Sequence, residues 1–313
     1  MKLQKITLIA LIAMITIGLS TLTSCKKNAI TSETTADSTQ AQTDDEVMVS
    51  NETDNASSDG TATFESKGGS FAARPETGPV NDTLPLPCDG GIITADTTSG
   101  GQDSIFVTYS GSNCSGTRTR SGEIVISFAH GLRWRTPNAV VTVTYENFTV
   151  VRTSDHKSLT INGSETITNV TGDLLRNIPS AVGDSIVHNI DGTLHLTFNN
   201  GSTATWNIHK HRVFTWSGSS LAITTTGSVT GTNRFGNQFS TVITTPITIE
   251  NGCGYGFRVT SGALVYTAPI GTITVTYGLN ATGQAAGSCP LIYYYEIQYV
   301  HNSLTYTYFA PYF

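Results

Sequence analysis

From residue 83 to the C-terminus, apolar side chains alternate with Thr, Ser and Asn at a period of two. The pattern is plainest in Ile105–Tyr109, Glu123–Phe128, Val140–Tyr145, Thr193–Phe198, Thr203–Trp216 and Thr272–Tyr277. Alternation sends successive side chains to opposite faces of a strand, and the β-branched and aromatic residues here suit a pleated, half-buried surface. Asn162-Gly163, Asp191-Gly192, Asn200-Gly201 and Asn251-Gly252 read as turns between such strands. Gly172–Ile186 breaks the alternation, and Pro179 with two glycines favours a loop there over a helix. The fold class that follows is all-β, with antiparallel sheets arranged as a meander or sandwich.

A longer period is superimposed. Gly122-Glu-Ile, Gly192-Thr-Leu and Gly262-Ala-Leu each open an apolar run, and their glycines stand 70 residues apart both times. The expected repeat is a hairpin unit of about 70 residues, stacked so that neighbours bury a core that one unit leaves open.

The residues before this body follow other patterns. Lys2 and Lys5 precede an apolar stretch from Ile6 to Leu19, which has the outline of a secretory signal and is too short for a retained membrane helix. Leu22-Thr23-Ser24-Cys25 resembles a bacterial lipobox. That resemblance implies removal of residues 1–24, acylation of Cys25, and the membrane as a partner through this anchor. Lys26, standing where an acid would signal inner-membrane retention, favours the outer membrane; the leaflet stays open. Residues 25–82 are then expected to be a lipidated, acidic, disordered tether, because nine acids and no base lie between Asn28 and Ser66. Such a stretch holds too little apolar surface to offset its ordering entropy. A leash of about 55 residues has a mean span of roughly 40 Å.

The tether accounts for the net charge of −6, since residues 83–313 carry 11 Lys plus Arg against 12 Asp plus Glu. A nearly neutral body offers no basic face to nucleic acid. Charged residues make up only 13% of the chain, the composition of a secreted β-protein. Residues 83–313 are long enough for a sizeable core, in one domain or two packed lobes.

Besides Cys25 the chain has Cys88, Cys114, Cys253 and Cys289, an even number that implies two disulfides in an oxidising compartment. Three pairings are possible. Cys88 with Cys114 and Cys253 with Cys289 are favoured, because each pair encloses a short segment with glycine-rich turns. No Cys-x-x-Cys spacing suggests zinc, and His209 with His211, although on one strand face, supply two ligands only. No metal or cofactor is expected.

For catalysis, Glu123, Glu146, Glu165 and Glu296 lie within strands and are the acids that could converge on a glycosidic bond. Other acids mostly adjoin Gly, Asn or Ser, as turn residues do. No Gly-x-Ser-x-Gly elbow, phosphate loop or dinucleotide fingerprint is present. Trp134, Trp206, Trp216 and the C-terminal Tyr293, Tyr294, Tyr295, Tyr299, Tyr306, Tyr308, Phe309, Tyr312 and Phe313 combine apolar faces with polar tips. Such rings stack on sugars when exposed and fill a core when not. Phe313 also resembles the ending of outer-membrane barrel strands, against which stand the paired cysteines, the many polar Thr positions and the anchor.

The succession VTYSGSNCSGTRTRSGEIVISF, VTVTYENFTV, SLTINGSETITN, DGTLHLTFNNGSTATWN and TGSVTGTNRFG resembles uncharacterised secreted lipoproteins of Bacteroidota, over roughly Asp89 to Tyr277. The resemblance implies an envelope location and a β-rich fold, and transfers no catalytic residue. The expected function is a non-enzymatic envelope module that binds a glycan or an envelope protein. A polysaccharide-acting hydrolase and a passive structural lipoprotein are the alternatives.

Overall fold

Alternation and tight turns build strands along almost the whole body. The structure is a computed structural model, and it describes residues 41, 44, 45, 48–50, 52, 53, 84, 85, 92–96, 101–113, 116–180, 185–217, 220–250, 258–287, 289–301 and 303–312. The strands are β1 (Leu84–Pro85), β2 (Ile92–Asp96), β3 (Gln102–Ser112), β4 (Arg118–Ala129), β5 (Ala139–Arg152), β6 (Ser158–Asn169), β7 (Ser185–Phe198), β8 (Thr203–Ser217), β9 (Ser220–Thr232), β10 (Gln238–Glu250), β11 (Arg258–Ala268), β12 (Gly271–Leu279), β13 (Tyr293–His301) and β14 (Leu304–Tyr312). Each pairs antiparallel with its neighbours in sequence, so one sheet of 14 strands runs from β1 to β14 without a crossover. Among the described residues no pairing joins β1 to β14. The sheet is therefore an open meander, neither a sandwich nor a closed barrel. Glu46–Phe313 forms one compact unit.

Three of the turns share a device. Asn113, Asn233 and Asn280 each stand three residues before a glycine of positive φ: Gly116 (66°), Gly236 (78°) and Gly283 (77°). The side-chain oxygen of Asn233 accepts from the backbone N–H groups of Phe235 and Asn237, both at 3.0 Å. That of Asn280 accepts from Thr282 and Gln284 at 2.9 and 3.1 Å. Asn113 accepts from Arg118 at 3.1 Å. The side chain thus stands in for a backbone carbonyl while glycine makes the left-handed step.

The period of two divides the sheet into a buried and a polar face. On β7 and β8, Ile190, Leu194, Leu196, Trp206, Ile208 and Phe214 face inward, while Asn189, Thr193, Asn207 and His211 alternate with them on the other side. One core cluster extends from Ile93 on β2 to Tyr299 on β13. One face of the sheet is thus buried over most of its strands. A smaller cluster of Ile178, Ile186, Phe214 and Ile223 lies beneath a 3₁₀ turn, Leu175–Ser180, in the segment expected to be a plain loop. The outer face carries hydroxyls in cross-strand register: Ser110, Ser121, Thr149, Thr160, Thr197 and Thr203 are successive partners from β3 to β8.

Mid-strand glycines mark where the sheet bends. Gly122 (φ 94°) faces an irregularity in β5 at Glu146–Asn147, and a Cβ there would lie 2.2 Å from the Asn147 carbonyl oxygen. The Tyr109 and Phe148 rings, from the strands on either side, close over it with centroids 5.1 Å apart. Two of the expected turns are bends of this kind. Asn162-Gly163 lies inside β6 and Asp191-Gly192 inside β7, each glycine against a neighbouring backbone that leaves no room for a side chain. The same dipeptides that open a hairpin also suit a bent strand, because both need a glycine. Asn200-Gly201 is a turn, and Asn251-Gly252 lies outside the described residues. The hairpin unit of about 70 residues is not confirmed. Gly122, Gly192 and Gly262 fall on β4, β7 and β11, an odd and then an even number of strands apart, so the first two strands run in opposite directions.

A few residues of the 25–82 segment are described, and they pack against the sheet. Residues 48–50, 52 and 53 are helical, and Met48, Val49, Glu52 and Thr53 are buried. Met48 and Val49 join the main core cluster. Their burial supplies what the acidic stretch lacks elsewhere, about 1.5–3 kcal/mol for each large apolar side chain.

Candidate functional site

The expected site residues do not form one constellation. The lipidation candidate Cys25 lies outside the described residues, as do Cys88, Cys114 and Cys253. Cys289 is described and is a disulfide half, so its partner is among the others. His209 and His211 do share the outer face of β8, but each is held by its β7 neighbour. His209 Nδ1 lies 2.8 Å from Asp191 and His211 Nδ1 2.8 Å from Asn189. Among the described residues no group of three or more His, Cys, Asp or Glu could hold a metal ion.

The four glutamates are spread over both faces. Glu123 and Glu146 are cross-strand partners on the outer face, with Thr108 donating to Glu123 at 2.9 Å. Glu165 points inward and accepts from the buried Tyr145 hydroxyl at 2.9 Å. Glu296 is far along the sheet on β13, where Gln298 donates to it. Glu165 therefore cannot face a bond that the other three address.

The aromatic side chains sort sharply. Trp134, Trp206, Tyr293 and Tyr299 are core, and burial, reinforced by Glu250 and opposed by Arg258, raises the Tyr293 phenol above its usual range. Tyr306 and Tyr308, by contrast, are 55% and 54% exposed. Both lie on the inward face of β14, opposite Tyr299 and Ile297, where the core has run out. The Tyr299 and Tyr306 rings stack at 6.2 Å. Leu304 and Phe309 are exposed on the same strand, and β14 has no charged residue. Among the described residues β14 pairs with β13 alone, which leaves its outer backbone groups as an open ladder there. The other edge is blunted, for β1 has two residues and one is Pro85. Natural sheets generally protect a long edge with charge, proline or a covering segment. β14 has Pro311 near its end and otherwise presents Tyr, Thr, Leu and Phe.

A second polar arrangement lies on the buried face. The Glu52 carboxylate, fully buried, sits between Arg118 Nη1 at 2.6 Å and Arg120 Nη2 at 3.3 Å. Arg120 is itself buried, with its guanidinium 5.9 Å from the Tyr109 ring centre. Lys210 Nζ donates to the Ser50 hydroxyl at 3.2 Å. Sequence reasoning missed this cluster. Its trace is Val47-Met48-Val49, the longest apolar run between Asn28 and Ser66, with Glu52 close behind.

Comparison with known proteins places the chain nowhere: no protein family, curated protein or solved structure matches it.

Proposed function

We propose that the chain is an outer-membrane lipoprotein, held by an acylated Cys25, whose body is a non-enzymatic interaction module binding an envelope glycan or protein along β14. The observation that carries this reading is the pair Tyr306 and Tyr308, more than half exposed beside a stacked Tyr299 on a charge-free edge. Tyrosines on a rigid strand give flat apolar faces with hydroxyl tips, and the open ladder beside them accepts hydrogen bonds. The test is retention of the full mature chain on envelope polysaccharide and on solubilised envelope protein. Tyr306→Ala with Tyr308→Ala is expected to lower retention about tenfold, near 0.7 kcal/mol per ring, with the urea midpoint little changed. Equal retention by the double variant would sink the edge as the site. Fractionation of cells carrying Cys25→Ser tests the anchor, the protein being expected in the soluble rather than the membrane fraction.

We infer that the partner of Cys289 is Cys253, a reading that strand direction supports. The β10–β11 and β12–β13 connections lie at one end of the meander; the β1–β2 and β3–β4 connections, which contain Cys88 and Cys114, lie at the other. Strands β3 to β14, of 9 to 15 residues, separate the ends of the sheet by about 30–50 Å, too far for a disulfide. Arg258, at the start of β11, also reaches the Leu291 carbonyl at 3.1 Å, drawing the two connections together. Non-reducing peptide mapping should yield Cys253–Cys289; a Cys88–Cys289 or Cys114–Cys289 peptide would refute it.

A further inference from the structure

The helical stretch at residues 48–53 occupies the buried face in the manner of a ligand. Val49 and Glu52 are both fully buried, one in the core and the other between two guanidinium groups. Among the described residues, no backbone hydrogen bond joins this stretch to the sheet. Its attachment is made by an anionic head on Arg118 and Arg120, a hydroxyl on Lys210, and apolar side chains in the cluster that spans β2 to β13. In the sequence, residues 54–83 stand between this stretch and β1.

From this arrangement we propose that the stretch at residues 48–53 is an internal surrogate, and that the place it fills takes an anionic amphiphile with a single acyl chain. A carboxylate or phosphate head replaces Glu52 at Arg118 and Arg120. The chain replaces Met48 and Val49. An extended peptide is the less suitable occupant, because it would bring backbone donors and acceptors that the present attachment does not engage. Two cations converging on one point are a carboxylate and phosphate receptor, and the low polarity around them strengthens that attraction. This site is separate from the β14 edge and stands whether or not the edge binds anything.

The experiment is a fluorescence titration of the full mature chain, with Cys25→Ser to remove the anchor, using cis-parinaric acid as the probe. Val49→Asp places a charge in the core and drives the stretch out; Glu52→Gln is the milder variant, removing only the ionic contact. Both are expected to bind the probe at least tenfold more tightly than the parent. Adding Arg118→Gln, at the less buried of the two arginines, should cancel most of that gain. Lysophosphatidic acid should compete, which distinguishes a site for anionic heads in general from one for carboxylates only. A synthetic peptide of residues 44–56 should compete as well. The proposal is overturned if either displaced variant retains its far-ultraviolet β spectrum yet gains no affinity, or if the gain survives Arg118→Gln. It also falls if the peptide binds and the probe does not, since the site would then be one for acidic peptides.

Discussion

His188 illustrates how the buried face treats a polar residue. Its imidazole points inward from β7 between Trp134 and Phe214, with ring centres at 5.2 and 4.9 Å. Its Nε2 has no hydrogen-bond partner among the described residues. Burial, reinforced by Arg212, lowers its pKa from 6.5 to about 3, so the ring is neutral. The unfolded chain then takes up this proton first as the pH falls. The stabilising contribution is complete above pH 6.5 and is lost progressively between there and about pH 3. Urea unfolding at stepped pH should show the slope reduced in His188→Phe, by up to about 1.4 kcal/mol per pH unit; an unchanged slope would place the titration elsewhere. Nothing in the sequence marks His188 apart from the other scattered histidines. Its inward direction follows from alternation along β7, but the aromatic slot is assembled by Trp134 from a loop and Phe214 from β8.

Strands are the elements most legible in the chain, because a half-buried strand writes its two faces into successive residues. All six alternating segments named from the sequence lie within strands. Turns were less legible. Asn162-Gly163 and Asn200-Gly201 carry the same local information, and only packing against a neighbouring strand makes the first a bend and the second a turn. The buried helical stretch was hidden for a related reason, since Met48 and Val49 find their apolar partners on distant strands. The Asn turns allow a graded test. Asn233 is buried, and besides its two backbone contacts it donates to the Tyr266 hydroxyl at 2.8 Å. Asn280 makes comparable backbone contacts but is partly exposed. Asn233→Ala should therefore cost about 2–3 kcal/mol and Asn280→Ala about 1 kcal/mol, because water can replace only the second set. Equal losses in urea unfolding would contradict the role assigned to Tyr266.

At the scale of the molecule, stability is expected to grade along the sheet. Central strands have a partner on each side and the main cluster beneath them; β1, β2 and β14 are short or open to one side. Native-state hydrogen exchange should protect β4 to β9 most, and β14 should exchange through local opening well before global unfolding. Uniform protection through β14 would mean that the edge is already covered, by a second copy or another partner. The order of strands has a further consequence. No strand waits for a partner made later, since each finds its mate in the hairpin that has just preceded it. A chain emerging end first from a translocation pore can thus be zipped in order, exposing one growing front at a time and avoiding the long-range searches that slow β-proteins. β14 is where that front comes to rest.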